Sequence, residues 1–251
     1  MEGMEYFLEI FGRVPRAGPG SCESTRRAYE LMSGVPESPR ILDIGCGPGV
    51  QTVDLLNISG GNVTALDFLP LMIERTKSNA ADAGVSERLE VLEQDMKHMD
   101  FPASSFDVIW SEGAIYNLGF ENGLRILKKF VRPGGYVAVS EAVWLKTEPP
   151  APVVEFWKQY PEIDTIENKL AVIDRLGYQR EGHFILPEEA WLVDYYDPME
   201  GLLAEKAKEW KDIPQGLAVV EEARHEIELY RKYSKYYGYA FFVMKRPVEQ
   251  L

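Results

Sequence analysis

The chain has 251 residues, 45% of them hydrophobic and 27% charged, which suffices for one α/β domain with an added cap and is ordinary for a globular protein. A formal net charge of −13 repels phosphate backbones, so nucleic acid is not expected as a partner. No stretch approaches the roughly 20 apolar residues of a membrane helix, the opening MEGMEYFLEIFGRV lacks the basic cluster of a secretory signal, and Cys22 and Cys46 are too few for a disulfide framework; a cytoplasmic protein without membrane association is expected.

Residues 1–39 read as a helical cap segment. Met4 to Val14 sets apolar and acidic residues at helical spacing, RAGPGS interrupts the pattern, and Ser21 is placed to cap a second helix through Tyr29 to Met32. From Arg40 the texture changes. Short apolar runs alternate with helical stretches: RILDI, a glycine loop with QTVDLLN, NVTALD, PLMIERTKSNAADAG, LEVLEQD, FDVIWS, NGLRILKKFV and GGYVAVSEA. Apolar runs of this kind suit strands buried on both faces, and strict strand–helix succession predicts βαβ units in a parallel sheet. Pro70 fits a first helical turn and Gly84 a helix stop. PEIDTIENKLAVIDRLG predicts a helix ended by Gly177, YQREGHFIL a strand, and GYAFFVMKR a closing strand. The helical stretch between those strands predicts a lid inserted at about 187–235 of a 40–251 domain.

The central signal is ILDIGCGPG, Ile41 to Gly49. Alternating glycines between a strand and a helix allow close approach to the backbone, and the helix start offers unpaired N–H groups. A dinucleotide loop needs glycine or alanine where Val50 stands, and a P-loop needs a Gly-Lys-Ser/Thr ending that is absent. Asp43, two residues before Gly45, suits an ammonium group better than a pyrophosphate. Asp67 ends the next apolar run about 24 residues later, near the spacing of an acid that accepts from ribose hydroxyls, and Phe68 follows as a surface for a flat base. Asp95 and Met96 end the third run, where they suit an exocyclic amine and a ring face. Three acids at successive strand ends predict a row along the crevice in which open α/β sheets bind ligands.

These residues carry a resemblance. ILDIGCGPG, the Asp67 strand end, EQDM, FDVIWSEGAIYN and KKFVRPGGYVAVSEA together resemble the class I S-adenosylmethionine-dependent methyltransferases, in the small-molecule branch of ubiquinone/menaquinone-biosynthesis type. RAGPGS and HFILPEEAW resemble a smaller uncharacterised subgroup. The resemblance implies a Rossmann-like, mostly parallel seven-stranded sheet whose last strand is antiparallel, with helices on both faces. It implies S-adenosylmethionine as cofactor and contacts from Gly45, Cys46, Gly47, Asp67, Phe68, Asp95 and Met96. Asp43, Gly49 and Ser111 join that set, and Arg16, beside the GPGS turn, is expected to pair with the cofactor carboxylate. SEGAIYN stands where base methyltransferases often carry an Asn/Asp-Pro-Pro-Tyr/Phe element, which disfavours base methylation, and no carboxylate-and-amide set for a divalent metal is recognisable.

Methyl transfer from a sulfonium is an in-line displacement whose main requirement is a nucleophile held about 3 Å from the methyl carbon. Glu112 and Glu141, at the ends of the fourth and fifth apolar runs, are the candidate bases. Tyr116, Asn117, Trp144, Trp191, Tyr195 and Tyr196 are candidates for lining the acceptor site, and His183 reads as structural. A small-molecule acceptor is expected; a protein or RNA methyltransferase and a non-enzymatic cofactor-binding protein are the alternatives.

Overall fold

A computed structural model describes residues 3–248. The N-terminal segment forms α1 (Met4–Phe11) and α2 (Cys22–Glu30), and Ser21 caps α2 by accepting the Ser24 N–H at 3.1 Å. Strands and helices then alternate through β1 (Arg40–Ile44), α3 (Val50–Ser59), β2 (Asn62–Asp67), α4 (Pro70–Asp82), β3 (Leu89–Glu93), β4 (Phe106–Glu112), α5 (Phe120–Phe130) and β5 (Val131–Trp144). The remainder comprises α6 (Ala151–Trp157), β6 (Asp164–Thr165), α7 (Ile166–Arg175), β7 (Gln179–Ile185), α8 (Glu189–Trp191), α9 (Asp197–Glu209), α10 (Pro214–Tyr233) and β8 (Tyr237–Lys245).

The sheet order is β3-β2-β1-β4-β5-β8-β7. Neighbours from β3 to β5 pair in parallel, whereas β8 runs antiparallel to both β5 and β7. The expected Rossmann-like sheet with an antiparallel last strand is therefore present. The two-residue β6 adds a short parallel pairing at the end of β5, too brief to leave a hydrophobic period. It also delays α7, which starts at Ile166 with Thr165 accepting the Asn168 N–H, later than the run PEIDTIENK suggests.

Each strand divides its side chains between two cores because successive Cβ atoms point to opposite faces. Ile41, Val63, Ala65, Val108 and Trp110 pack on one face with α3; Leu42, Ile44, Leu66, Ile109 and Val137 pack on the other with α5. α5 shows the helical counterpart: Phe120, Gly123, Leu124, Leu127 and Phe130 are its buried stripe.

A third core lies outside the sheet. Ile10 of α1 packs with Trp191, Leu203, Trp210, Ile227 and Tyr230, so the N-terminal helix and the helices between β7 and β8 bury a common surface. Between α8 and α9 the chain makes a π-helical turn, Leu192–Tyr196. Pro198 follows; it has no N–H for the Asp194 carbonyl, its ring crowds that carbonyl, and a wider turn relieves both. The wider turn buries Tyr195 and Tyr196 side by side, with ring centroids 4.9 Å apart.

Candidate active site

The strand order reverses between β1 and β4, and the crevice at their carboxyl ends is where sheets of this kind take ligands. At the end of β1 the chain turns through Gly45, Gly47 and Gly49, with φ of +70°, +55° and +79°. A Cβ on Gly45 would lie 2.5 Å from the Ala114 methyl and 3.1 Å from Met96 Cε, and one on Gly49 2.6 Å from Thr76. Gly45 and Gly47 border a cavity of about 180 Å³; Gly49 instead lets α3 approach α4.

Asp67 enters this cavity from the end of β2. Its Oδ2 accepts the Gly47 N–H at 3.0 Å and its Oδ1 the Leu69 N–H at 3.0 Å. Each oxygen retains a lone pair for a ligand hydroxyl. Burial raises its pKa, and the backbone N–H groups act against that rise. Phe68 is 64% exposed beside it, and Gln94, Met96 and Asn117 complete that part of the wall.

Asp43 lies behind the loop, fully buried. Its Oδ2 accepts from Thr52 Oγ1 at 2.6 Å and from Gln51 Nε2 at 3.4 Å, while Oδ1 has no hydrogen-bond partner. Burial pushes its pKa up to about 7. Gln51, not Asp43 itself, reaches the cavity wall, so Asp43 acts through the loop and Gln51.

Arg16 and Glu112 join the N-terminal segment to the sheet. Arg16 Nη1 lies 3.3 Å from Glu112 Oε2, and its Nη2 donates to Asp54 Oδ2 at 2.9 Å. Glu112 Oε1 also accepts from Thr25 Oγ1 at 2.7 Å and from Trp110 Nε1 at 2.9 Å. Burial raises the Glu112 pKa, and Arg16 is the largest influence opposing it. With both oxygens engaged, Glu112 holds α2 and the Arg16–Pro19 turn over the crevice. Arg16 borders the cavity already paired with two carboxylates.

A second, larger cavity of about 470 Å³ adjoins the first. The two share Phe7, Phe11, Ala17, Gly18, Pro19, Gly113 and Tyr116 as common walls. Its far side comprises Glu141, Trp157, Tyr160, Trp191, Tyr195, Tyr196, Glu226, Tyr237 and Tyr239. Glu141 is 2% exposed; its Oε1 is 3.7 Å from Lys169 Nζ and makes no hydrogen bond. Burial raises its pKa and Lys169 draws it back. The Trp157 and Trp191 indole N–H groups and the Tyr160 and Tyr237 hydroxyls are likewise buried without partners.

Several expected residues stand elsewhere. Asp95 caps the short turn Met96–His98, accepting the Lys97 N–H at 2.9 Å and facing His98, and lies outside both cavities. The row of three acids therefore reduces to Asp67 at the wall and Asp43 behind it. Ser111 donates to the Ile44 carbonyl at 3.1 Å and holds β4 to β1 rather than touching either cavity. Trp144 packs edge-on against Trp157, one layer behind the second cavity. His183 is exposed on β7, stacked against Phe242. Among the described residues no cluster of histidine, cysteine, aspartate or glutamate is arranged to hold a metal ion, and no helix is long and apolar enough to cross a membrane.

Residues 41–135 match the family described as "Methyltransferase domain". Over that segment the chain is similar to methyltransferase domains. The match runs from β1 to the start of β5, the part that supplies the glycine loop and most of the first cavity's wall. A 27-O-demethylrifamycin SV methyltransferase of Amycolatopsis mediterranei is 26% identical over 90% of this chain and 85% of that protein. A sterol 24-C-methyltransferase of Pneumocystis carinii is 28% identical over 59% of this chain. The chain spans less than half the length of the sterol methyltransferases that it matches. Among solved structures, a SAM-dependent methyltransferase of Geobacter sulfurreducens crystallised with S-adenosyl-L-homocysteine superposes with a TM-score of 0.83 at 20% identity, covering 96% of this chain and 97% of that one.

Outside the matched segment lie residues that the sequence reading missed. Glu226 sits among other charges in α10, with nothing local to single it out. Tyr237 and Tyr239 did leave a signal: they are two apart on β8, so they share one face. Trp157 and Tyr160 come from α6 and the turn after it, which the strand–helix pattern of the domain does not anticipate.

Proposed function

We propose that this protein is an S-adenosylmethionine-dependent methyltransferase acting on a small molecule. The observation that carries the proposal is the pair of adjoining cavities: one walled by bare glycine backbone and Asp67, the other by aromatic side chains and Glu141, with common walls at the N-terminal turn and Tyr116. The first fits an aminoacyl nucleoside. Gly45 and Gly47 leave the backbone open, Asp67 has lone pairs for ribose hydroxyls, Phe68 and Met96 offer faces for the base, and Gln51 and Arg16 border the polar end.

When bound, S-adenosylmethionine supplies a methyl group on a positively charged sulfur. The side chains of the second cavity hold the acceptor in line with it, and positioning of this kind is the larger part of catalysis for a displacement. The lid helices α8–α10 and the Arg16–Pro19 turn exclude water, which strengthens the electrostatics at the sulfonium. Glu141 is the base: its almost fully buried carboxyl group belongs to the wall of the acceptor cavity, with Lys169 Nζ 3.7 Å from Oε1 on the other side. Glu112, fully engaged with Arg16, Thr25 and Trp110, positions the cap. The acceptor cavity, of a volume typical for small ligands, favours a small molecule over a protein or RNA.

Thermal shift tests this. S-adenosylhomocysteine is expected to raise the melting temperature and NAD to leave it unchanged; stabilisation by NAD alone would overturn the assignment.

A further inference from the structure

The lining of the acceptor cavity is one-sided in charge. It contains Glu141, Glu222 and Glu226, and no lysine, arginine or histidine. Lys169 offsets only the first of these. Its Nζ donates to the Glu162 carbonyl at 2.8 Å, lies under the Phe120 and Tyr160 rings, and is 3.7 Å from Glu141 Oε1. Glu226 has no cationic partner among the described residues; its one side-chain hydrogen bond is from the Tyr196 hydroxyl at 3.0 Å. Glu226 is half-buried, and a carboxylate partly withdrawn from water without a counter-charge is costly. Around it stand the rings of Tyr195, Tyr196, Tyr237 and Trp191, whose faces attract cations.

We propose that the methyl acceptor is an amine, bound as its ammonium form between Glu226 and the aromatic walls, and methylated on nitrogen. This rests on the methyltransferase reading and names its substrate class. An anionic acceptor would meet three carboxylates of which Lys169 offsets only Glu141. A neutral acceptor would leave Glu226 uncompensated. Glu226 supplies the counter-charge and the Glu141 carboxylate, in the wall of the same cavity, takes the proton that leaves the nitrogen. The freed lone pair then forms the N–C bond to the methyl carbon as the C–S bond breaks. Its electron pair stays on sulfur, giving S-adenosylhomocysteine and an N-methylammonium product, and the proton on Glu141 passes to water.

The test uses binding as well as turnover. Trp157 and Trp191 border the cavity, so tryptophan fluorescence reports its filling. The full chain is titrated with benzyltrimethylammonium, benzyl alcohol and phenylacetate, three probes of similar body and different charge. Benzyltrimethylammonium is expected to bind at least about tenfold more tightly than benzyl alcohol, and phenylacetate most weakly. Glu226→Gln is expected to erase that preference, and so is Val219→Lys, which sets a cation into the same cavity wall two helical turns before Glu226. S-adenosylhomocysteine affinity, measured by calorimetry on each variant, is expected to change less than about twofold and shows which variants are folded. Equal binding of the cation and the alcohol, no quenching by the cation, or a cation preference that survives in a folded variant overturns the proposal. Failure of the wild-type chain to bind S-adenosylhomocysteine while the cation preference holds overturns the cofactor reading instead.

Discussion

Arg16 and Glu112 lie 96 positions apart in the chain, yet their side chains meet at 3.3 Å, both almost fully buried. The contact fastens the N-terminal turn, which borders both cavities, to the carboxyl end of β4. It makes the N-terminal turn part of the cavity wall, and Arg16 pairs at the same time with Asp54 at 2.9 Å.

Removing one partner of a buried pair is costlier than the pair is worth, because the other charge stays behind. Arg16→Ala strands both Glu112 and Asp54. Urea unfolding is expected to show a loss of about 3–5 kcal/mol, and limited proteolysis is expected to cut first within residues 1–20. A stability loss below about 1 kcal/mol would show that the pair does not hold the cap.

Asp67 organises the glycine loop and faces the cofactor cavity. Asp67→Ala is expected to weaken S-adenosylhomocysteine binding by about 10–100-fold, on the order of the 1.5–3 kcal/mol of hydrogen bonds to a charged group. Calorimetry measures this directly. An unchanged dissociation constant would remove Asp67 from the ribose role.

The glycines separate by function. Gly45→Ala sets a methyl against Ala114 and the cavity, so it is expected to abolish S-adenosylhomocysteine binding. Gly49→Ala sets its methyl against Thr76, outside the cavity, and is expected to act on stability, lowering it by roughly 1–3 kcal/mol through overpacking and a positive φ. Thermal melts paired with binding isotherms distinguish the two outcomes.

Asp43 gives a pH signature. Burial lifts its folded-state pKa to about 7, above the unfolded value of 3.8. Between those values the folded chain holds a proton that the unfolded chain has released, so its contribution to stability falls as pH rises through that window and is flat above it. Asp43→Asn removes this fall. Relative to the wild type it is expected to gain stability between pH 4 and 7, reaching on the order of 4 kcal/mol at pH 8. Chemical denaturation at pH 4.5, 6 and 8 measures it, and a constant difference between the two proteins would refute the assignment.

The glycine loop and the strand–helix alternation were legible because they are local. A buried parallel strand requires a continuous apolar run, and a backbone opened for a ligand requires glycines at fixed offsets. Asp43, Asp67, Phe68 and Met96 could be placed from that pattern because strand ends align at one edge of the sheet. Asp95 followed the same logic and still turned outward, since capping the Met96–His98 turn used its carboxylate locally. Trp144 is separated by a single layer of packing from the wall it was expected to form, a distance that no periodicity encodes.

The primary structure by itself determined the fold class, the order of strands and helices from β1 to β5, and the loop at the end of β1, because each follows from short-range propensity and spacing. Only the tertiary structure decided the second cavity. Glu141 from β5, Tyr160 after α6, Tyr195 from the π-turn, Glu226 from α10 and Tyr239 from β8 come from five separate stretches of the chain. Their convergence is set by how the lid packs on α1 and the sheet edge, a long-range balance of buried area that leaves no mark on any one stretch of residues.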